Sequence, residues 1–142
     1  MISKTTNNNS PVAIVTGSGS GIGFAVVEEL LHENYIVYAC TKSKTINLEK
    51  LLNSKIKDIK NRLIIKQFDI NNFLFARDLV KEIYNQSKRI DVLINSAGIP
   101  YGQLFMLTKN EDINNVFQTN FFSLLSFTQL ISRVMGLSLI HI

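Results

Sequence analysis

The chain has 142 residues, 46% of them hydrophobic, and a formal charge of +4, enough for one globular core and too little for two. Its lysines are scattered from Lys4 to Lys109 with no aromatic-interleaved basic block, which argues against a nucleic-acid surface. The opening MISKTTNNNS lacks an apolar secretory segment, and the most apolar stretch, 121–130, is broken by Ser123, Ser126, Thr128 and Gln129, so a cytoplasmic chain without a membrane span is expected.

Residues 1–10 are polar and read as a flexible tail. Residues 12–16 form an apolar β-rich run, and 21–33 carry Ile22, Ala25, Val26, Leu30 and Leu31 at helical spacing, with Asn34 placed as a left-handed C-terminal cap. A second strand covers 35–40. It contains the only cysteine, Cys40, which excludes an internal disulfide and a Cys-rich metal site and reads as a buried strand residue, so no metal site is expected. Residues 46–60 repeat Leu48, Leu51, Leu52, Ile56 and Ile59 as a helix would.

A third strand over 63–68 ends at Asp69. A helix over 73–87 carries Phe75, Leu79 and Ile83, and a fourth strand spans 90–94. Thr108-Lys109-Asn110-Glu111 has the pattern of a capping box, which predicts a helix running to about Met135 through Ile113, Val116, Phe117, Phe121, Leu124, Leu125 and Ile131. Strands that are apolar throughout, alternating with amphipathic helices, imply an α/β fold whose parallel sheet is covered on both faces.

In such a sheet the turn from the first strand into the first helix lies at the carboxyl edge, where ligands bind. That turn reads Thr16-Gly17-Ser18-Gly19-Ser20-Gly21-Ile22-Gly23. Bare glycine backbone lets a pyrophosphate approach the free amides of a helix N-terminus without meeting a Cβ, so the segment is suited to a dinucleotide.

The glycines follow the spacing G-x-x-x-G-x-G, and with Thr16 and Ile22 they give T-G-x-x-x-G-I-G. Here the sequence resembles the single-domain branch of the short-chain dehydrogenase/reductase family. Asp69 after the third strand, Asn95-Ser96-Ala97-Gly98 after the fourth and Asn120 in the long helix match it in order, over about 11–135. Ser96 stands where the family more often has Asn.

The resemblance implies a Rossmann-type doubly wound sheet, here truncated to the order 3-2-1-4. It implies a nicotinamide dinucleotide with its pyrophosphate at Gly17, Gly21, Ile22 and Gly23, within a turn that also includes Thr16, Ser18 and Ser20. Asp69 and Ile70 would hold the adenine, and Asn95, Ala97 and Gly98 the ribose side, although Asn95 could instead tie the central strands together. At the end of the second strand stand Thr41 and Lys42, with no acid to repel a 2′-phosphate. That favours NADP(H) over NAD(H), unless Lys42 is one more solvated lysine.

Family chemistry is hydride transfer between nicotinamide and a small carbonyl or alcohol substrate, by a Tyr, a Lys four residues on, a Ser and an Asn. Asn120 alone has a counterpart here. The strings Tyr38…Lys42 and Tyr84…Lys88 do not replace the pair. The first spans about 13 Å along a strand, and the second ends a helix that returns to the amino edge of the sheet. Residues 137–142, LSLIHI, match the translation of a transposon-end adapter used in sequencing libraries. A non-native tail over 136–142 is therefore expected, after an N-terminal cofactor-binding fragment of a reductase whose substrate class resembles that of 3-oxoacyl-carrier-protein reductases. The alternative is a non-catalytic dinucleotide binder or a pseudogene product. The full-length parent is expected to be a homo-oligomer through its long helix, and the fragment, with an uncovered sheet edge, poorly soluble.

Overall fold

The computed structural model describes residues 10–139, with the side chains of 137–139 left aside. The expected flexible start lies outside these residues except for Ser10, and of the expected non-native tail Ile140, His141 and Ile142 lie outside them. Strand β1 (Val12–Thr16) is fully buried, as β-branched residues covered on both faces should be. It pairs in parallel with β2 (Ile36–Thr41) on one side and β4 (Val92–Asn95) on the other, and β2 pairs with β3 (Leu63–Gln67). The four-stranded order is β3-β2-β1-β4, the expected 3-2-1-4. Among the described residues β4 is therefore an edge strand.

Alternate side chains along β1 feed two cores, because successive residues of a strand point to opposite faces. Val12 and Ile14 join Tyr38 and Cys40 beneath α4 (Phe73–Ser87) and α6 (Leu124–Leu139), against Leu79, Ile83, Phe127 and Ile131. Val15 joins Val37 and Ala39 beneath α1 (Gly21–His32) and α2 (Ile46–Leu51), against Val27, Leu31, Leu48 and Leu51. Truncating a fully buried ring such as Phe127 to Ala in such a core costs about 3–5 kcal/mol.

Asn34 ends α1 in the left-handed conformation at φ 63°, and the amide of Tyr35 returns to the Leu30 carbonyl at 2.9 Å. The buried stripe of α1 differs from the expected one. It is Gly23, Val27 and Leu31, while Ile22 is 79% exposed at the mouth of the glycine turn. The helix is rotated so that Gly23 can lie against that turn.

The single helix expected over 46–60 is also broken. After α2 the chain turns at Asn53 and Ser54, whose amides bond to the Lys50 and Leu51 carbonyls. It then passes through Asp58 at φ 54° into a short α3 (Ile59–Arg62). Ser and Asn offer the backbone local hydrogen bonds that compete with a helix, and the Ser54 hydroxyl accepts one from the Ile56 amide.

The long helix is present as α5 (Asn110–Phe117), a π-helical turn over Gln118–Ser123, and α6. The capping box does not form. The Thr108 hydroxyl donates to the Leu104 carbonyl at 3.2 Å, within the turn that precedes the helix, and Lys109 takes the cap position without a side-chain bond. Of the apolar positions expected to line this helix, Ile131 reaches the core, whereas Phe117, Phe121 and Leu125 are exposed. No described helix is long and apolar enough to cross a membrane.

Candidate dinucleotide-binding site

A cleft of about 610 Å³ opens at the carboxyl edge of the sheet, above β1 and between the ends of β2, β3 and β4. Thr16 joins two of its walls. Its hydroxyl donates to the Ile94 carbonyl at 3.4 Å and accepts the amides of Ser96 and Ala97, each at 3.1 Å, which uses its one proton and both lone pairs. The glycine turn is thereby fixed to the loop after β4. Gly17 lies so close to that loop, at φ 64°, that a Cβ would stand 2.5 Å from the Ser96 carbonyl oxygen, and a Cβ on Gly23 would fall on the Gly17 carbonyl.

The turn is fixed on its other side by Ser18. Its amide and hydroxyl both reach the Cys40 carbonyl, at 3.1 and 2.9 Å. Ser20 then caps α1 from extended backbone without a side-chain bond, so the first amides of the helix have no side-chain partner at this end. Burial pushes the Cys40 thiol up to about 12 in spite of Lys66 nearby, which keeps it protonated and confirms a packing residue.

At the far end of the cleft, Lys42 Nζ and Asp69 Oδ2 lie 2.6 Å apart. The bond from Lys42 and the amide of Asn71 at Asp69 Oδ1 (2.9 Å) hold the Asp69 carboxyl below the ordinary carboxylate range, against a small opposing effect of burial. Opposite, the Asn120 amide closes a two-bond clamp on Ile99, accepting its N–H at 2.8 Å and donating to its carbonyl at 3.0 Å.

Of the site residues expected from the sequence, Thr16, Gly17, Ser20, Ile22, Thr41, Lys42, Asp69, Ile70, Ala97 and Gly98 line the cleft. Ser18, Gly21, Gly23, Asn95 and Asn120 do not. Ser18 and Gly23 are buried supports of the turn, and Gly21 begins α1 beside it. Asn95 turns away to donate to Thr128 Oγ1 at 2.9 Å, tying β4 to α6, strand to helix and not strand to strand as its alternative role had it. Asn120 stands behind the wall, holding Ile99.

Gly19, Ser43, Lys44, Asn71, Asn115 and Thr119 also line the cleft and were not foreseen. Gly19 stood inside the glycine motif, and any Cβ there would strike the Lys44 carbonyl. The other five come from loops and a helix whose approach depends on tertiary packing. Neither Tyr38 nor Tyr84 is at the cleft. The Tyr38 hydroxyl, under α4, meets Gln86 and Ser87, and the Tyr84 carbonyl accepts the Lys88 amide where α4 ends. No cluster of three or more metal-ligating side chains occurs among the described residues.

A family model described as short chain dehydrogenase matches residues 11–138. A 3-oxoacyl-acyl-carrier-protein reductase of Buchnera aphidicola is 31% identical over 132 residues, 93% of this chain and 51% of that protein. A 3-ketodihydrosphingosine reductase of Bacteroides thetaiotaomicron is 28% identical over 115 residues, 81% of this chain and 38% of that protein. Among solved structures, a variant of actinorhodin polyketide ketoreductase with NADPH superposes with a TM-score of 0.80 at 25% identity, over 92% of this chain and 49% of that one. The chain thus spans about half the length of these relatives, or less. With the sheet order and its cleft, these matches establish that the chain belongs to the short-chain dehydrogenase family.

Proposed function

We propose that this chain is the cofactor-binding part of an NADP(H)-dependent carbonyl reductase. The observation that carries the reading is the cleft itself, which brings the glycine turn, Thr41-Lys42, Asp69-Ile70 and Ala97-Gly98 around one space of about 610 Å³. The residues fit a dinucleotide. The pyrophosphate would sit at Gly17, Gly21 and Ile22, where nothing lies within 4 Å of a Cβ built on Gly21. The adenine would lie by Asp69 and Ile70, and the nicotinamide half along Ala97 and Gly98.

When bound, the cofactor supplies a hydride. This chain's own residues bind it, orient it, and through Asn120 hold the Ile99 segment in place. For the 2′-phosphate, Lys42 is the cation at the end of β2, with the Thr41 and Ser43 hydroxyls beside it. The NADPH named in the ketoreductase structure supports this preference. The 3-oxoacyl reductase likeness supports a 3-oxoacyl thioester as the substrate class of the whole protein. Its Tyr/Lys pair would be supplied outside the segment seen here, and its subunits would associate through the exposed helical phenylalanines.

The second reading, a dinucleotide binder without turnover, is favoured by one observation: neither Tyr38 nor Tyr84, the tyrosines of the two Tyr-x-x-x-Lys strings, lines the cleft. The two readings separate in one assay. NADPH oxidation is followed with a 3-oxoacyl thioester and a simple ketone, for the 142-residue chain and for any longer product of the same reading frame that adds Tyr-x-x-x-Lys. The reductase reading expects turnover from the longer product alone. Turnover by the short chain would contradict the fragment reading, and none by the longer product would favour the binder.

A further inference from the structure

The polar side chains at the adenine end of the cleft continue, bond by bond, into the turn that carries Asn120. Asp69 takes Lys42 on Oδ2 and the Asn71 amide on Oδ1. The Asn71 side chain then crosses to the π-helical turn. Its Nδ2 donates to Thr119 Oγ1 at 3.1 Å, and its Oδ1 accepts from Ser123 Oγ at 2.7 Å.

Gln118 Nε2 donates to Ser123 Oγ at 3.1 Å, which leaves the single hydroxyl proton of Ser123 free for Asn71 Oδ1, and the Asn71 NH₂ faces Thr119. Asn71 grips both flanks of Asn120, and Asn120 grips Ile99 on both its amide and its carbonyl. A π-helical turn interrupts the regular ladder between two α-helical segments, so an outside clamp on its side chains bears directly on its geometry.

We propose that Asn71 is a positioning residue that couples occupancy of the adenosine half of the cleft to the order of the turn Gln118–Ser123, and through it to the placement of Asn120. The inference rests on the dinucleotide reading above. A nucleotide seated against Asp69 and Ile70 restricts the 69–72 loop. The Asn71 side chain passes that restriction to a turn of which only Thr119 lines the cleft, which is coupling through order rather than displacement.

The test is amide hydrogen exchange of the 142-residue chain with and without saturating 2′,5′-ADP, which fills the adenosine half and has no nicotinamide, for the parent chain and for Asn71→Ala and Ser123→Ala. In the parent chain, exchange at 69–72 and at 118–123 is expected to slow together, the second on the order of five- to tenfold. In Asn71→Ala at saturation the slowing at 118–123 is lost while that at 69–72 remains. Ser123→Ala, which keeps the Asn71–Thr119 bond and lines no part of the cleft, retains ligand protection at 69–72 with a reduced response at 118–123. It gives the decisive reading if Asn71→Ala does not fold. An undiminished response at 118–123 in the folded variants overturns the proposal. So does a parent chain protected at 69–72 alone. Protection at neither segment would instead defeat the dinucleotide reading, and the coupling with it.

Discussion

Lys42 Nζ and Asp69 Oδ2 meet at 2.6 Å across the outer corner of the cleft, joining the ends of β2 and β3. With the lysine side chain 71% exposed, the pair adds little to stability, on the order of 0–1 kcal/mol. Its consequence is for recognition, since the same ammonium that neutralises Asp69 is the cation at the end of β2 that would meet a 2′-phosphate. Lys42→Ala is therefore expected to leave the urea midpoint nearly unchanged. It should weaken NADPH binding by about tenfold or more, the worth of one charge-assisted hydrogen bond, while NADH is held as before. Fluorescence titration with both cofactors checks this, and equal losses for the two would remove Lys42 from the phosphate site.

Gly21 and Gly23 predict opposite outcomes for one added methyl group. A Cβ on Gly23 meets the Gly17 carbonyl inside the turn, so Gly23→Ala should destabilise the fold by about 1–3 kcal/mol. Gly21 sits at φ 58° with open space on its Cβ side, so Gly21→Ala should strain the backbone by only about 1–2 kcal/mol. That methyl would instead project where the pyrophosphate is proposed to lie. The expected pattern is a folded Gly21→Ala protein without cofactor affinity, against a Gly23→Ala protein of lowered urea midpoint. Full NADPH affinity in Gly21→Ala would move the phosphates elsewhere.

The alternation of strands and helices and the glycine turn could be read from the sequence because both are local in origin, whereas the strand order came with the family resemblance. Apolar β-rich runs alternate with helical ones, and the glycines stand at fixed offsets from β1. What escaped depends on packing between distant segments. The buried face of α1 combines Val27 and Leu31 with Gly23, whose place against Gly17 a pattern of apolar residues does not show. Thr108 fits a capping pattern, yet its hydroxyl is engaged by Leu104 in a preceding turn that hydrophobic periodicity does not show. Asn71 lies two residues after Asp69 and reads as loop. Its partners Thr119 and Ser123 are 48 and 52 residues away, a separation no local pattern encodes. Asn120 was found by its family position, but its work of holding Ile99 appears only once β4 and the long helix are packed together.

At the opposite edge of the sheet, Asp91 Oδ2 accepts the buried Val12 amide at 2.7 Å while Arg89 engages both carboxylate oxygens. Burial alone would raise the Asp91 carboxyl, but the Arg89 hydrogen bond, the Val12 amide and the Arg89 charge together hold it below its ordinary 3.8. A carboxylate whose folded-state value is depressed stabilises the fold fully above its unfolded value, and that contribution disappears as pH falls through the lower folded value. Asp69, also depressed, acts in the same window. The urea midpoint is thus expected to hold near neutrality and to drop below about pH 4. Asp91→Ala should lower stability at pH 7 by about 1–3 kcal/mol and give a shallower acid decline. Parallel declines for the two proteins would show that Asp91 is not a source of the acid sensitivity.

Phe117, Phe121, Phe122 and Leu125 leave a large apolar area of the long helix exposed, with Phe121 and Phe122 in edge-to-face contact at 5.3 Å. Such a face on an isolated chain favours association. Replacing Phe121 and Leu125 by Ser should shift light scattering toward the monomer without lowering the urea midpoint, because neither side chain belongs to the buried core. Unchanged scattering would place the association surface elsewhere.

The central claim, that the Gly17–Gly23 turn and the ends of β2 to β4 together hold a nicotinamide dinucleotide, is tested most directly by calorimetric titration of the folded chain with NADPH and NADH. One molecule per chain is expected to bind, NADPH the more tightly, with both affinities lost in Gly21→Ala. A folded chain that takes up neither cofactor would contradict the claim.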